Sequence, residues 1–535
     1  MAPLGSNIEM STLKMREDSL QARSEPACNP LDPKEEAAAR AEAGRANHTG
    51  VRYYDIHQAT LQTAHSGLAR ELKGRHLQMI AIGGSIGTGL FVASGQALNH
   101  GGPASLLIAF SLIGIMLYCT TQALAELAVA FPYALQWLII LPLEIVAASI
   151  TLTYWNSEIE KAGFVTLFLF IVMASNLSGV RGYGEVEFTF AMVKVIAVIA
   201  FIVNETDPKL LQTQSLLGIE PGAFNNGFKG LCSVFVTAAF SFAGTELVGL
   251  AAAETANPRK SLPTAVKQVF WRLTLFYIVA LTLVGLLVPY NEPRLLSEGT
   301  EDSTQRLTAN ASPFVIAIEN AKISVLPSVM NAVILIAVLS VGNSAVFGSS
   351  RTLAALADQN HAPAFLAYID HKGRPLIAIL IAGTIGLLSY IAEVDNQDAV
   401  LDWLLASSGL SSIFTWGSIC LCHIRFRKAQ AGVAGSYVGL AMNIIVLVAQ
   451  FWVGAFPIGW RDMSARDLAE SFFLKYLAAP IVCSFYIFHK IYYWTSVVRI
   501  EDLDVDTAKE VRPANAESLV DFVSATGTSI EQGCL

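Results

Sequence analysis

The chain has 535 residues, of which 53% are hydrophobic and only 15% charged, with a net charge of −8. Soluble domains carry about 25% charged residues, so this composition excludes an ordinary water-soluble enzyme or a basic nucleic-acid binder. The seven cysteines are scattered, with neither zinc spacing nor a disulfide framework.

Met1 to Arg75 is polar and lacks the apolar core of a signal peptide. It is expected to be a disordered cytosolic tail (1–75), with the first span acting as an uncleaved anchor in the endoplasmic reticulum. From Leu77 to about Trp494, runs of about 20 apolar residues recur, the mark of membrane helices. Twelve spans are predicted, near 77–98, 104–130, 133–155, 162–178, 188–203, 228–252, 270–289, 325–348, 375–392, 402–422, 433–455 and 474–495. They form an all-α polytopic membrane domain (76–497), followed by a polar tail (498–535).

The loops alternate in charge. "NPRKSLPTAVKQVFWR", "SSRTLAALADQNHAPAFLAYIDHKGRP" and "HIRFRK", after the sixth, eighth and tenth spans, are rich in Lys and Arg. "NEPRLLSEGTEDSTQRLTANAS", "EVDNQDA" and "RDMSARDLAE", on the other side, lean acidic. Basic loops stay in the cytoplasm, which puts both tails inside and suits an even number of spans.

The first span contains "AIGGSIGTGLF" (81–91), with four glycines, a serine and a threonine in apolar surroundings. A membrane helix can unwind only where its freed backbone groups are buried in protein or line a cavity. Unwinding here exposes amides at the start of a second half-helix, where the dipole favours an anion such as a carboxylate. Close helix packing through small residues is the alternative. The sixth span repeats the pattern in "FSFAGTELVGLAAAET" (240–255). Two interrupted helices at equivalent places in two halves point to the site of an inverted-repeat transporter.

Four charges sit inside apolar sequence: Glu126, Glu144, Lys194 and Glu246. Such residues are costly in a bilayer, so they face the interior and pair or carry ions. Lys194 is the single cation among them. It could occupy the place of a metal ion in a sodium-driven relative, or bridge helices near the broken first span. Glu246, just after the second break, is a candidate proton carrier or a hydrogen-bonded strut. Glu126 and Glu144 read as structural, and Glu254, at the cytoplasmic end of its span, as solvated.

These residues, with "RHLQMIAIGGSIGTGLF", "LPLEIVAASIT", "GVRGYGEVEF", "VFVTAAFSFAGTELVGLAAAETANPRKSLPTAVKQVFWR" and "LSVGNSAVFGSSRTLAALA", strongly resemble the fungal amino-acid permeases, closest to the general amino-acid permease type. The resemblance runs from about Arg75 to Tyr493. It implies a five-plus-five inverted-repeat fold of the leucine-transporter type with two extra helices, and proton-coupled amino-acid import at the plasma membrane without metal or organic cofactor. It further implies that Gly84, Ser85, Gly87, Thr88 and Gly89 hold the substrate carboxylate. Phe240, Ser241 and Phe242 would bind the amino group through carbonyls and gate the side chain. Ubiquitin-ligase machinery would act on the amino-terminal tail, where Lys14 and Lys34 stand.

The chain departs from the family at three joints. Pro132 runs straight into Tyr133, the fifth span stops at Val203 and meets "NETDPKLLQTQSLLGIE", and Ala429 joins Gln430 without a polar loop. The rival readings are therefore a non-transporting amino-acid sensor of permease ancestry, or an inactive splice form or gene-model variant lacking segments near 132/133, 203–221 and 429/430. A membrane enzyme is disfavoured because HExxH, GxSxG and His/Cys ligand clusters do not occur in the loops or inner helix ends.

Overall fold

The computed structural model describes residues 68, 71–124, 131–155, 161–205, 222–252, 254–255, 265, 274, 276–292, 294–295, 312–321, 325–359, 361–393, 397–427, 434–461 and 463–493. Residues 1–67 of the amino-terminal tail, with Lys14 and Lys34, Glu126, and the joints at 206–221 and 428–433 lie outside the described residues. Pairing of strands is confined, among the described residues, to one isolated bridge, Leu72 with Thr255. Among the described residues, seven helices are long and apolar enough to cross a membrane, or eight if the pair Ala465–Tyr476 and Ala478–Phe488, bent by 64°, forms one span.

The first of the seven, Gly74–Thr121, has 48 residues. At 1.5 Å per residue that is about 72 Å, more than twice the roughly 30 Å hydrocarbon layer. It is divided into two spans at Gly102 (φ 76°), followed by Pro103. The left-handed backbone there favours glycine, and proline cannot donate back to continue the first helix. The shorter apolar helices Lys161–Leu177, Phe276–Leu287 and Leu376–Ile391 fall on the fourth, seventh and ninth predicted spans. Each of the twelve predicted spans thus has a helix. The fifth differs: instead of stopping short at 188–203, it runs as Val180–Glu205, 26 residues. Its first turns carry Arg181, Glu185 and Glu187, which read as loop in the sequence.

The elements that position the site are α1 (Gly74–Ser85), α2 (Ser94–Leu124), α3 (Phe131–Thr151), α4 (Lys161–Leu177), α5 (Val180–Glu205), α6 (Gly227–Phe242), α7 (Leu247–Ala252), α8 (Phe276–Leu287) and α9 (Pro313–Asn320). They are followed by α10 (Leu326–Asp358), α11 (Leu376–Gly386), α12 (Gln397–Arg427) and α13 (Ala434–Ala455). α3 packs along α10, α6 along α2, and α1 along α5. Burial separates centre from rim: 89% of the α6–α7 window and 83% of α3 are buried, against 28% of α5 and 33% of α13. The exposed sides are apolar, with Phe170, Ile196, Ile445 and Val448 on them, as expected of helices solvated by lipid rather than water.

Candidate functional site

Helix α1 ends at Ser85, and the chain resumes as a π-helical turn at Gly89–Ala93 before α2. Helix α6 ends at Phe242, and Gly244 adopts φ 100° before α7 begins. The two breaks touch. A Cβ on Gly244 would lie 2.5 Å from the Gly84 carbonyl oxygen, and a Cβ on Gly84 would lie 2.8 Å from Leu247 Cδ1. Glycine is needed at 244 twice over, for the left-handed backbone and for this approach. Several glycines of the first break also serve packing. A Cβ on Gly87 would overlap Val341, and one on Gly89 would overlap the Ser241 backbone. Both readings of the glycine run therefore hold at once: the backbone is unwound, and it is tightly packed where it unwinds.

At the breaks lies a small cleft lined by Gly84, Ser85, Gly87, Thr88, Gly89, Ile140, Glu144, Phe240, Ala243 and Val341. All five residues expected from the first break are on its wall. From the second break only Phe240 is. Ser241 donates its hydroxyl to the Thr237 carbonyl at 2.8 Å, and Phe242 turns away to stack on Tyr277, centroids 4.6 Å apart.

Glu144 enters the cleft wall from α3. It accepts from the Thr88 hydroxyl at 2.6 Å through Oε2, while the buried Oε1 has no hydrogen-bond partner among the described residues. Glu246 sits elsewhere. Its Oε2 accepts from the Gly244 amide at 3.1 Å and its Oε1 from the Gln136 side chain at 3.2 Å. It caps the second break rather than pairing with Lys194. Lys194 reaches from α5 to the first break, donating to the Gly83 carbonyl at 2.5 Å, so it ties α5 to the end of α1.

A carboxylate that the sequence did not single out, Glu187, lies two helical turns before Lys194. It is wholly buried, accepts from Ser340 at 2.5 Å and Asn343 at 3.3 Å on α10, and sits where a Cβ on Gly83 would be. It was missed because the fifth span was started one residue after it. Tyr277 was missed too. Its hydroxyl lies within donating distance of the Ser85 carbonyl (2.8 Å) and the Ser241 carbonyl (2.7 Å), one from each break. A lone tyrosine in an apolar run carries no sequence signal for such a role.

Away from the cleft, the segment before α1 is joined to the segment after α7. Leu72 N–H donates to the Glu254 carbonyl at 3.0 Å. Glu254, expected to be solvated, is instead fully buried and paired with Arg351 of α10 at 3.1 Å. Burial pushes its carboxyl above the ordinary range, and Arg351 draws it back. The Arg351 guanidinium lies 4.1 Å from the Phe347 ring centroid, which in turn stacks on Tyr183 at 4.2 Å. The sequence pattern could not reveal a pair whose members stand 97 positions apart. Among the described residues no group of three or more His, Cys, Asp or Glu could hold a metal ion.

The family model described as "Amino acid permease" matches residues 76–134 and 132–501. The chain belongs to the amino acid permease family. This permease is 51% identical over 504 aligned positions to the general amino-acid permease GAP2 of Candida albicans, covering 85% of the chain and 84% of the relative. It is 48% identical to the general amino-acid permease GAP1 of Saccharomyces cerevisiae (85% and 83% covered) and 44% identical to the cationic amino acid transporter 1 of Schizosaccharomyces pombe (85% and 84%). Among solved structures, Mhp1, a nucleobase-cation-symport-1 family transporter in a closed conformation, matches with a TM-score of 0.42 at 13% identity, covering 77% of the permease and 98% of that chain. The permease is shorter within the matched region than GAP2: 504 aligned positions draw on only 85% of its 535 residues. The family match is also split where α3 begins.

Proposed function

We propose that this permease imports amino acids across the plasma membrane by proton symport, alternating access around the cleft between the two helix breaks. The observation that supports it best is that two unwound backbones meet at Gly84 and Gly244 beside a buried carboxylate with an unpaired oxygen, Glu144. A zwitterion leaving water needs both its charges met. Amides of Gly87 to Gly89, at the start of the second half-helix, suit the carboxylate, since half-helix amino ends carry positive dipole. Carbonyls around Phe240, Ser241 and Phe242 suit the ammonium. Glu246 and Glu144 are the candidate proton carriers. Lys194, held on Gly83, couples the first break to α5.

In this reading both tails lie in the cytosol and the amino-terminal lysines, Lys14 and Lys34, are the points where a ubiquitin ligase acts. The test is uptake of labelled amino acids in a permease-deficient yeast, at acid and neutral external pH. Concentrative uptake that rises with acidity is expected. Absence of uptake by protein resident at the surface would reject transport.

The second reading is a sensor or inactive form, favoured by the split family match near 132–134 and the unmatched positions of the alignment. Binding of amino acids without uptake at normal surface level would support it.

A further inference from the structure

The last carbonyls of a helix have no intrahelical donor and carry the negative end of its dipole. At the two breaks, one such carbonyl from each half-helix is turned to the same group. Ser85 is the last residue of α1, and Ser241 lies one residue before the end of α6. The Tyr277 hydroxyl reaches both oxygens, at 2.8 and 2.7 Å. A phenol has one proton, so it serves one oxygen at a time and leaves the other short of a donor. The ring is fixed by stacking on Phe242 (4.6 Å) and Phe110 (6.0 Å) and is fully buried. Ser85 also lines the cleft, as do Phe240 and Ala243 on either side of Ser241 and Phe242.

We propose that Tyr277 is a positioning residue of the transport site: its hydroxyl stands in for the substrate ammonium on the Ser85 and Ser241 carbonyls while the permease is empty. It holds the two breaks in register and yields those oxygens when the ammonium, with its three N–H donors, arrives. This rests on the cleft being the amino-acid site. The consequence is specific. Tyr277→Phe keeps the stacked ring but leaves both carbonyls without a donor in the empty state, whereas the bound state is served by the ligand. The net contribution of one such hydrogen bond is equivalent to roughly a three- to tenfold change in an equilibrium constant. The variant should therefore bind amino acids more tightly and release them more slowly, lowering KM and maximal rate together.

Parent and Tyr277→Phe chains, tagged and expressed in a permease-deficient yeast, are compared for concentration-dependent uptake at one pH, normalised to surface level. Each is also purified and its thermal stabilisation by the same amino acid is titrated. The expected result is KM and maximal rate both reduced roughly three- to tenfold, with half-maximal stabilisation at a correspondingly lower concentration. An unchanged or raised KM, or an unchanged half-maximal concentration, overturns the assignment. If the variant does not reach the surface, the purified-protein titration alone decides. The parent reports separately on the transport reading. A parent that neither takes up nor binds amino acids rejects that reading and this one with it, whereas a binding parent with an unaltered variant rejects only the role of Tyr277.

Discussion

Replacing Arg351 by methionine tests how the segment after α7 is held to α10. The Arg351 and Glu254 side chains are 3% and 1% exposed and meet at 3.1 Å. Arg351 also donates to Ser350 Oγ at 3.1 Å and lies over Phe347. Removing the guanidinium leaves the Glu254 carboxylate buried without its counter-charge. Breaking such a pair costs about 3–5 kcal/mol. The lost cation–π contact, up to about 2 kcal/mol when desolvated, shares the same desolvation and is not added. Glu254→Gln alone strands the arginine and should be similarly damaging. The double substitution Glu254→Gln with Arg351→Met removes both charges and should recover most of the loss, because a neutral pair carries little desolvation cost. Thermal stability of the four detergent-purified proteins supplies the cycle. Two damaging single changes with a partly restored double change are expected. Strictly additive losses, or an Arg351→Met chain as stable as the parent, would refute the coupling.

The remaining predictions concern the site and the topology. Glu246→Gln should reach the surface and lose the pH dependence of uptake, since glutamine keeps most hydrogen bonds at the second break but cannot release a proton; unaltered pH dependence at normal surface level would remove Glu246 from coupling. Gly83→Ala should abolish uptake, because the methyl group falls on the Glu187 carboxylate, and the shorter Glu187→Asp in the same chain should restore part of it; parental uptake by Gly83→Ala alone would contradict the close approach. A glycan, where one is found, should map to the sequons at Asn204 or Asn310 and not to Asn47; one at Asn47 would invert the orientation.

The sequence by itself determined the class of molecule and the places where it bends. Twenty-residue apolar runs can be little else than spans, and the glycines at 83–89 and 244 mark where a helix is permitted to open, because these are local properties of composition and backbone freedom. Charges buried in such runs, Glu144, Lys194 and Glu246, were visible for the same reason. What the sequence did not determine was which way each helix face turns and what it meets. Lipid and protein interior are equally apolar, so hydropathy does not orient a membrane helix about its axis. That left Glu187 mistaken for loop and Glu254 for a solvated end, and gave Tyr277 no sign of its role. Tertiary packing decided each case by bringing a partner from far along the chain: Ser340 and Asn343 to Glu187, Arg351 to Glu254, and the carbonyls of Ser85 and Ser241 to Tyr277. A buried polar group must find a partner, but only the packed fold says which one.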